Sequence, residues 1–207
     1  MENKLPKNIP IFPLSSVVFF PRTNLPLNIF EERYLQMVKD CLKKDRLFGM
    51  VQSKKNSLKE TYNIGCLGKI TSFHETNDGR YIINLTGISR FKILQEIQNN
   101  KLYREFNVDY EIFNQDVLNK KDKNFEISNL INSAKIFFKK KNYNLDWNEL
   151  KILDNDQQIN TLIMIAPFSI EEKQMLLEAI QIKDKMETLK KIFQFYLSES
   201  TASKSLQ

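Results

Sequence analysis

Glycine is scarce in this chain: Gly49, Gly65, Gly68, Gly79 and Gly87 are all it has in 207 residues. They are too scattered to build a phosphate-cradling loop. Gly68-Lys69 is followed by Ile70 and lacks the earlier glycine that a nucleotide-binding loop requires, so ATP hydrolysis is not expected. Histidine is scarcer still, and the single His74, beside Glu75, reads as a surface residue. Two separated cysteines, Cys41 and Cys66, supply neither a disulfide framework nor, with one histidine, the usual zinc sites. No metal and no cofactor are expected. No run of about eighteen apolar residues is present, so no membrane span is expected. The opening MENKLPKNIPIFPL carries an acidic residue and three prolines in place of a secretory pattern. These features place the chain in a reducing cytoplasm.

The 31 Lys+Arg residues against 25 Asp+Glu give a net charge of +6. That balance permits a nucleic-acid or acidic partner without requiring one. The basic residues are mostly lysines scattered through the chain, the pattern of a solvated surface. Paired carboxylates at Glu31-Glu32 and Glu171-Glu172 fall where first helical turns are expected, and the helix dipole accounts for them without catalysis. A site of Ser, Lys and Asp assembled only by folding is the alternative that spacing does not address.

The run from Ile9 to Tyr34, IPIFPLSSVVFFPRTNLPLNIFEERY, holds Pro10, Pro13, Pro21 and Pro26. Each lacks an amide donor and biases its predecessor toward extended backbone, so the run is not one helix. Asn28, with Glu31 three residues on, has the form of a capping box and predicts a helix start there. Phe30, Tyr34, Leu35, Val38, Cys41 and Leu42 then recur at helical spacing as a core stripe, with Glu32 and Arg33 on the wet side.

This arrangement resembles the start of the Lon substrate-binding domain, the N-terminal domain of Lon proteases, which also occurs as a separate small bacterial protein. The resemblance continues through Phe48-Gly49-Met50-Val51, Ile64 to Ile70, Asp78-Gly79-Arg80-Tyr81, Gly87 to Phe91, Ile165 to Phe168 and Glu171 to Glu178. It covers roughly Ile9 to Leu197.

Alternation predicts strands over Leu47–Gln52 and Gly65–Phe73, then a hairpin turn at Asn77-Asp78-Gly79 returning as Arg80–Thr86. Further strands are expected over Arg90–Ile97 and from Phe106 to Ile112. The polar stretch Asn119 to Lys123 marks a boundary. Beyond it come a helix through Phe137 and Phe138, one capped by Asp154 with Gln157, one capped by Ser169 with Glu172 that buries Met175 and Leu176, and a last helix from Asp184. The fold class is therefore α+β, with a β-rich domain over 8–118, a four-helix bundle over 119–198 and a flexible tail over 199–207. The resemblance sharpens the first domain to a PUA-like β pseudo-barrel with one helix.

In Lon proteases this domain is linked to selecting damaged or unfolded polypeptides, and the ATPase and protease domains that follow it there do not fit in what remains beyond Leu197. The resemblance thus implies recognition without hydrolysis, in protein quality control, beside a protease or chaperone. A surface that takes apolar chain must be open. The four consecutive apolar residues Val17 to Phe20 cannot all face one side of a strand, which nominates Phe19 and Phe20; cover on both faces of the sheet would bury them instead. Glu32 and Arg33 are the polar alternative. The competing reading is RNA binding, since PUA-like folds include RNA binders, although dense arginine with interleaved aromatics is missing. Oligomeric state has no signal.

Overall fold

The computed structural model describes residues 5–15, 17–54, 60–118 and 126–202. The chain divides into two compact units, Met1–Asn119 and Lys120–Gln207.

In the first unit six strands form one mixed sheet. They are β1 (Asn8–Leu14), β2 (Asn24–Ile29), β3 (Leu47–Ser53), β4 (Thr61–Glu75), β5 (Tyr81–Ile97) and β6 (Glu105–Asp109), with helix α1 (Glu32–Leu42) between β2 and β3. Their order is β2-β5-β4-β3-β1-β6, and an added β5–β6 pairing closes the ring, leaving β2 as the outer strand beside β5. Closure works because β5 is long: its first half pairs with β2 and β4, and its far end pairs with β6 through Ile93↔Val108 and Ile97↔Glu105. The residues expected to make two strands, Arg80–Thr86 and Arg90–Ile97, are thus one, bent where the β4 register shifts at Leu67/Gly68 and Ile70/Ser72.

Alternation sorts the two faces of the sheet. Ile9, Ile11, Val51, Leu67, Phe91, Phe106 and Val108 fill the inside of the ring. On the other side α1 lays Tyr34, Met37, Val38 and Cys41 against the strands, with Tyr34 edge-on to Phe12 at 4.3 Å and Phe12 edge-on to Phe48 at 6.2 Å. β3 is buried on both faces in consequence. A 3-10 helix, Glu111–Asp116, follows β6. There the expected strand through Ile112 stops early: Phe113 turns into the core while Ile112 is left exposed.

Asn28 does not cap α1. It is a β2 residue opposite Ile82, and Glu31 occupies the N-cap position without a side-chain cap bond. A strand ladder with β5 holds Asn28 extended, and those tertiary bonds outweigh a local cap.

The second unit contains α2 (Ser128–Lys140), α3 (Trp147–Ile152), α4 (Asn155–Ile165), α5 (Ile170–Glu178) and α6 (Ile182–Ala202). Among the described residues this is one helix more than the four expected, the addition being the short α3, whose first amides are capped by the Asp146 carboxylate. Reciprocal capping boxes at Asp154/Gln157 and Ser169/Glu172 start α4 and α5 as expected. Phe137 is the aromatic hub, with Phe193 at 5.2 Å and Phe168 at 5.4 Å. The lysines ending α2 have structural partners: Lys140 donates to the Leu197 carbonyl and Lys141 lies over the Tyr196 ring. α5 turns Leu176 and Leu177 inward and leaves Met175 half exposed, contrary to the spacing-based expectation. α6 runs to Ala202, past residue 199 where the tail was expected to begin; 203–207 lie outside the described residues.

Candidate functional site

Phe19 and Phe20 are 2% and 0% exposed, so an open patch at these residues is not what the fold provides. The Phe19 ring and the Leu85 side chain both lie against Gly68, and the Phe20 carbonyl comes so close to Gly87 that a Cβ there would stand 2.0 Å from it. Val18, Phe19 and Phe20 are buried and Val17 is half-buried, because the segment leading into β2 packs closely on β4 and β5 at Gly68 and Gly87. Gly87 is what permits the approach.

Exposed apolar side chains instead gather at the far end of the β2-β5-β4 ladder. The β4–β5 hairpin turns through Gly79 at φ 80°, where a side chain would be strained. The Thr76 hydroxyl donates to Asp78, and the Arg80 guanidinium pairs with Asp78 at 2.7 Å. These hydrogen bonds hold the exposed Asp78 carboxyl at a pKa of about 2. Just inside this locked turn, Phe73 is 41% exposed and packs edge-on to Tyr81 at 5.0 Å. Ile82, 48% exposed, lies on the opposite face, in register with Asn28 on one side and His74 on the other. β2 ends at Ile29 opposite Tyr81, so Phe30, 64% exposed, emerges at this same end of the sheet.

Phe30 was expected in the core stripe of α1. The helix begins only at Glu32, and Leu25, Leu27 and Ile29 already take the inward positions of β2, which leaves Phe30 outside. That period-of-two alternation is the signal that marks it. Immediately after it the Arg33 guanidinium pairs with Glu31 at 2.6 Å and lies 4.5 Å over the Tyr34 ring, while Glu32 is exposed in the first turn of α1. Glu32 and Arg33 therefore stand next to Phe30 in the chain, whereas Phe19 and Phe20 belong to the core.

The remaining conspicuous side chains are tied into the fold. Arg90 forms a buried ion pair with Asp116 at 2.8 Å. Burial pushes the Cys41 thiol up to about 12, and its Sγ–H donates to the Leu47 carbonyl. Among the described residues no three His, Cys, Asp or Glu stand close enough to hold a metal ion, and no helix is long and apolar enough to cross a membrane. The sheet end thus offers contact area bordered by charge.

The family model for the ATP-dependent protease La (LON) substrate-binding domain matches residues 8–194. The chain belongs to this family. A Lon protease of Dictyoglomus thermophilum is 24% identical over 194 residues, 88% of this chain and 24% of that protein. A Lon protease of Cytophaga hutchinsonii is 29% identical over 103 residues, 47% of this chain and 13% of that protein. The chain therefore spans a quarter or less of the length of these Lon relatives. Among solved structures, a Lon N-terminal domain protein from Xanthomonas campestris superposes with a TM-score of 0.62 at 22% identity, covering 88% of this chain and 96% of the other. The N-terminal domain of a Mycobacterium avium complex Lon protease gives 0.61 at 12% identity, covering 91% and 98%. The Lon N-terminal fold is shared along nearly the whole chain.

Proposed function

We propose that this Lon-family chain is a non-catalytic polypeptide-recognition module that takes hold of exposed apolar segments of unfolded or damaged proteins. It works in cytoplasmic quality control beside a protease or chaperone. The observation that carries this reading is the match to a protease's substrate-binding domain over 8–194. The sheet end supplies exposed apolar side chains, Phe30 and Ile82, with Phe73 on the opposite face, and Glu32 and Arg33 form the polar rim beside Phe30. Apolar side chains suit a client defined by exposed hydrophobic chain rather than by sequence, since burial is non-directional. The rim charges favour orientation and rate of encounter more than affinity.

Covering a half-exposed Phe or Ile contributes about 1–2 kcal/mol, and 1.4 kcal/mol is about tenfold in affinity. Binding of a permanently unfolded polypeptide, such as reduced and alkylated α-lactalbumin, would be measured for the wild type and for Phe30→Ser combined with Ile82→Ser. The double variant is expected to bind at least tenfold more weakly with an unchanged melting temperature, and the wild-type affinity to vary little between low and high salt. Unchanged affinity in the double variant would remove this surface from consideration. Tight RNA binding that collapses with added salt, with no binding of unfolded polypeptide, would replace the reading altogether.

A further inference from the structure

We infer that Pro26 shuts the outer edge of β2 against strand addition, so that the module can hold extended chains without pairing with them or with a second copy of itself. The last clause rests on the polypeptide-recognition reading; the closed edge itself does not. Among the described residues β2 is the terminal strand of the sheet, bonded to β5 on one side only. An open edge of this kind is a template for any extended backbone.

The phase of the β2–β5 ladder fixes which amides face outward. The Gly87 amide donates to the Thr23 carbonyl at 2.9 Å, while the Gly87 carbonyl accepts from the Arg22 amide at 2.9 Å. Two residues thus oppose one, and the first of them, Arg22, sits in the left-handed region at φ 59°. This is a β-bulge, and it starts the ladder with Thr23 bonded to Gly87. In an antiparallel pair bonded and non-bonded positions alternate, so Leu25, Leu27 and Ile29 exchange bonds with Leu85, Ile83 and Tyr81. The amides at Asn24, Pro26 and Asn28 then point away from β5.

The middle one does not exist. Pro26 costs the β5 ladder nothing, because its position makes no bond there, yet it removes the central donor of the outer edge. Asn24, Pro26 and Asn28 are all exposed. The segment Asn24-Leu25-Pro26-Leu27-Asn28 also reads the same in both directions. A second copy laid antiparallel about its centre would set Asn24 against Asn28, Leu25 against Leu27 and Pro26 against Pro26. Such an edge is self-complementary everywhere except at the middle, where both donors are replaced by ring carbons aimed at the opposing carbonyls. Proline stands at the one position where it blocks most and disturbs least.

The test uses the full chain with Pro26→Thr, which restores the outward amide. Sedimentation of this variant is expected to show its average mass rising at concentrations at least tenfold lower than for the wild type. Adding Asn28→Pro, which removes a neighbouring outward amide, is expected to return the curve to the wild type. A folded Pro26→Thr protein with the wild-type mass curve, or association that Asn28→Pro leaves in place, would overturn the inference. In the wild type itself, hydrogen exchange is expected to be at least tenfold faster at the Asn24 and Asn28 amides than at Leu25 and Leu27. Equal protection at all four would overturn it whether or not Pro26→Thr folds. Neither readout involves a client, so failure of the recognition reading would show separately, in the unfolded-polypeptide assay.

Discussion

Removing the Asp116 carboxylate is expected to cost the β unit a large part of its stability. One carboxylate accepts from Arg90 three times: from Nε at 2.8 Å, from Nη2 at 2.8 Å and from the backbone amide at 2.9 Å. The side chains are only 6% and 10% exposed, and the guanidinium also lies 4.3 Å over the Phe113 ring. This cluster fastens the 3-10 helix after β6 to the middle of β5. Asp116→Ala would leave a desolvated guanidinium without its carboxylate, and breaking a buried pair from one side costs about 3–5 kcal/mol. Asp116→Asn keeps an acceptor and should cost about 2–3 kcal/mol, the scale for hydrogen bonds to charged groups. Replacing both members with apolar residues, Arg90→Met with Asp116→Leu, should come within about 1 kcal/mol of the wild type, because no buried charge remains. Urea unfolding followed by circular dichroism at strand wavelengths measures this. For a slope of about 2 kcal/mol per M, the Asp116→Ala midpoint should fall by about 1.5–2.5 M. A fall below about 0.5 M, or a double variant as weak as Asp116→Ala, would refute the claim that this pair pins the 3-10 helix to the sheet.

Phe20→Ala should destabilise the chain by about 3–5 kcal/mol in the same urea assay, the range for emptying a buried aromatic site; a change under 1 kcal/mol would mean that Phe20 is not core. Cys41, with its thiol pKa raised from 9.0 to about 12, should hold about a thousandfold less thiolate near neutral pH than an ordinary thiol. Mass spectrometry after iodoacetamide treatment should therefore find it unmodified in the folded protein and alkylated only in denaturant, and rapid labelling of the native chain would contradict its buried position.

Much of the fold follows from interactions that close within a few residues. The capping boxes at Asp154/Gln157 and Ser169/Glu172, the hairpin at Asp78-Gly79 and the alternation of Tyr81, Ile83 and Leu85 could be read from the chain because the groups that satisfy one another are neighbours. The Asp146 cap on the Asn148 and Glu149 amides is a local signal of the same kind, yet α3, which it starts, was not among the four helices expected. The chain's order of motifs also sufficed to identify the Lon substrate-binding family, which the match over 8–194 bears out. What the sequence left open is what depends on distant partners. Asn28 carries a cap signal, yet β5 claims it as a strand. Two stretches of Arg80–Ile97 look like separate strands until pairing with β4 from Tyr81 through Gly87 to Lys92 makes them one. Phe19 and Phe20 are buried because the segment before β2 packs on Gly68 of β4 and Gly87 of β5, and Phe30 is exposed because β2 runs to Ile29 and α1 begins only at Glu32. Composition and period set which residues can be core; which of them are covered is decided by what the folded chain brings over them.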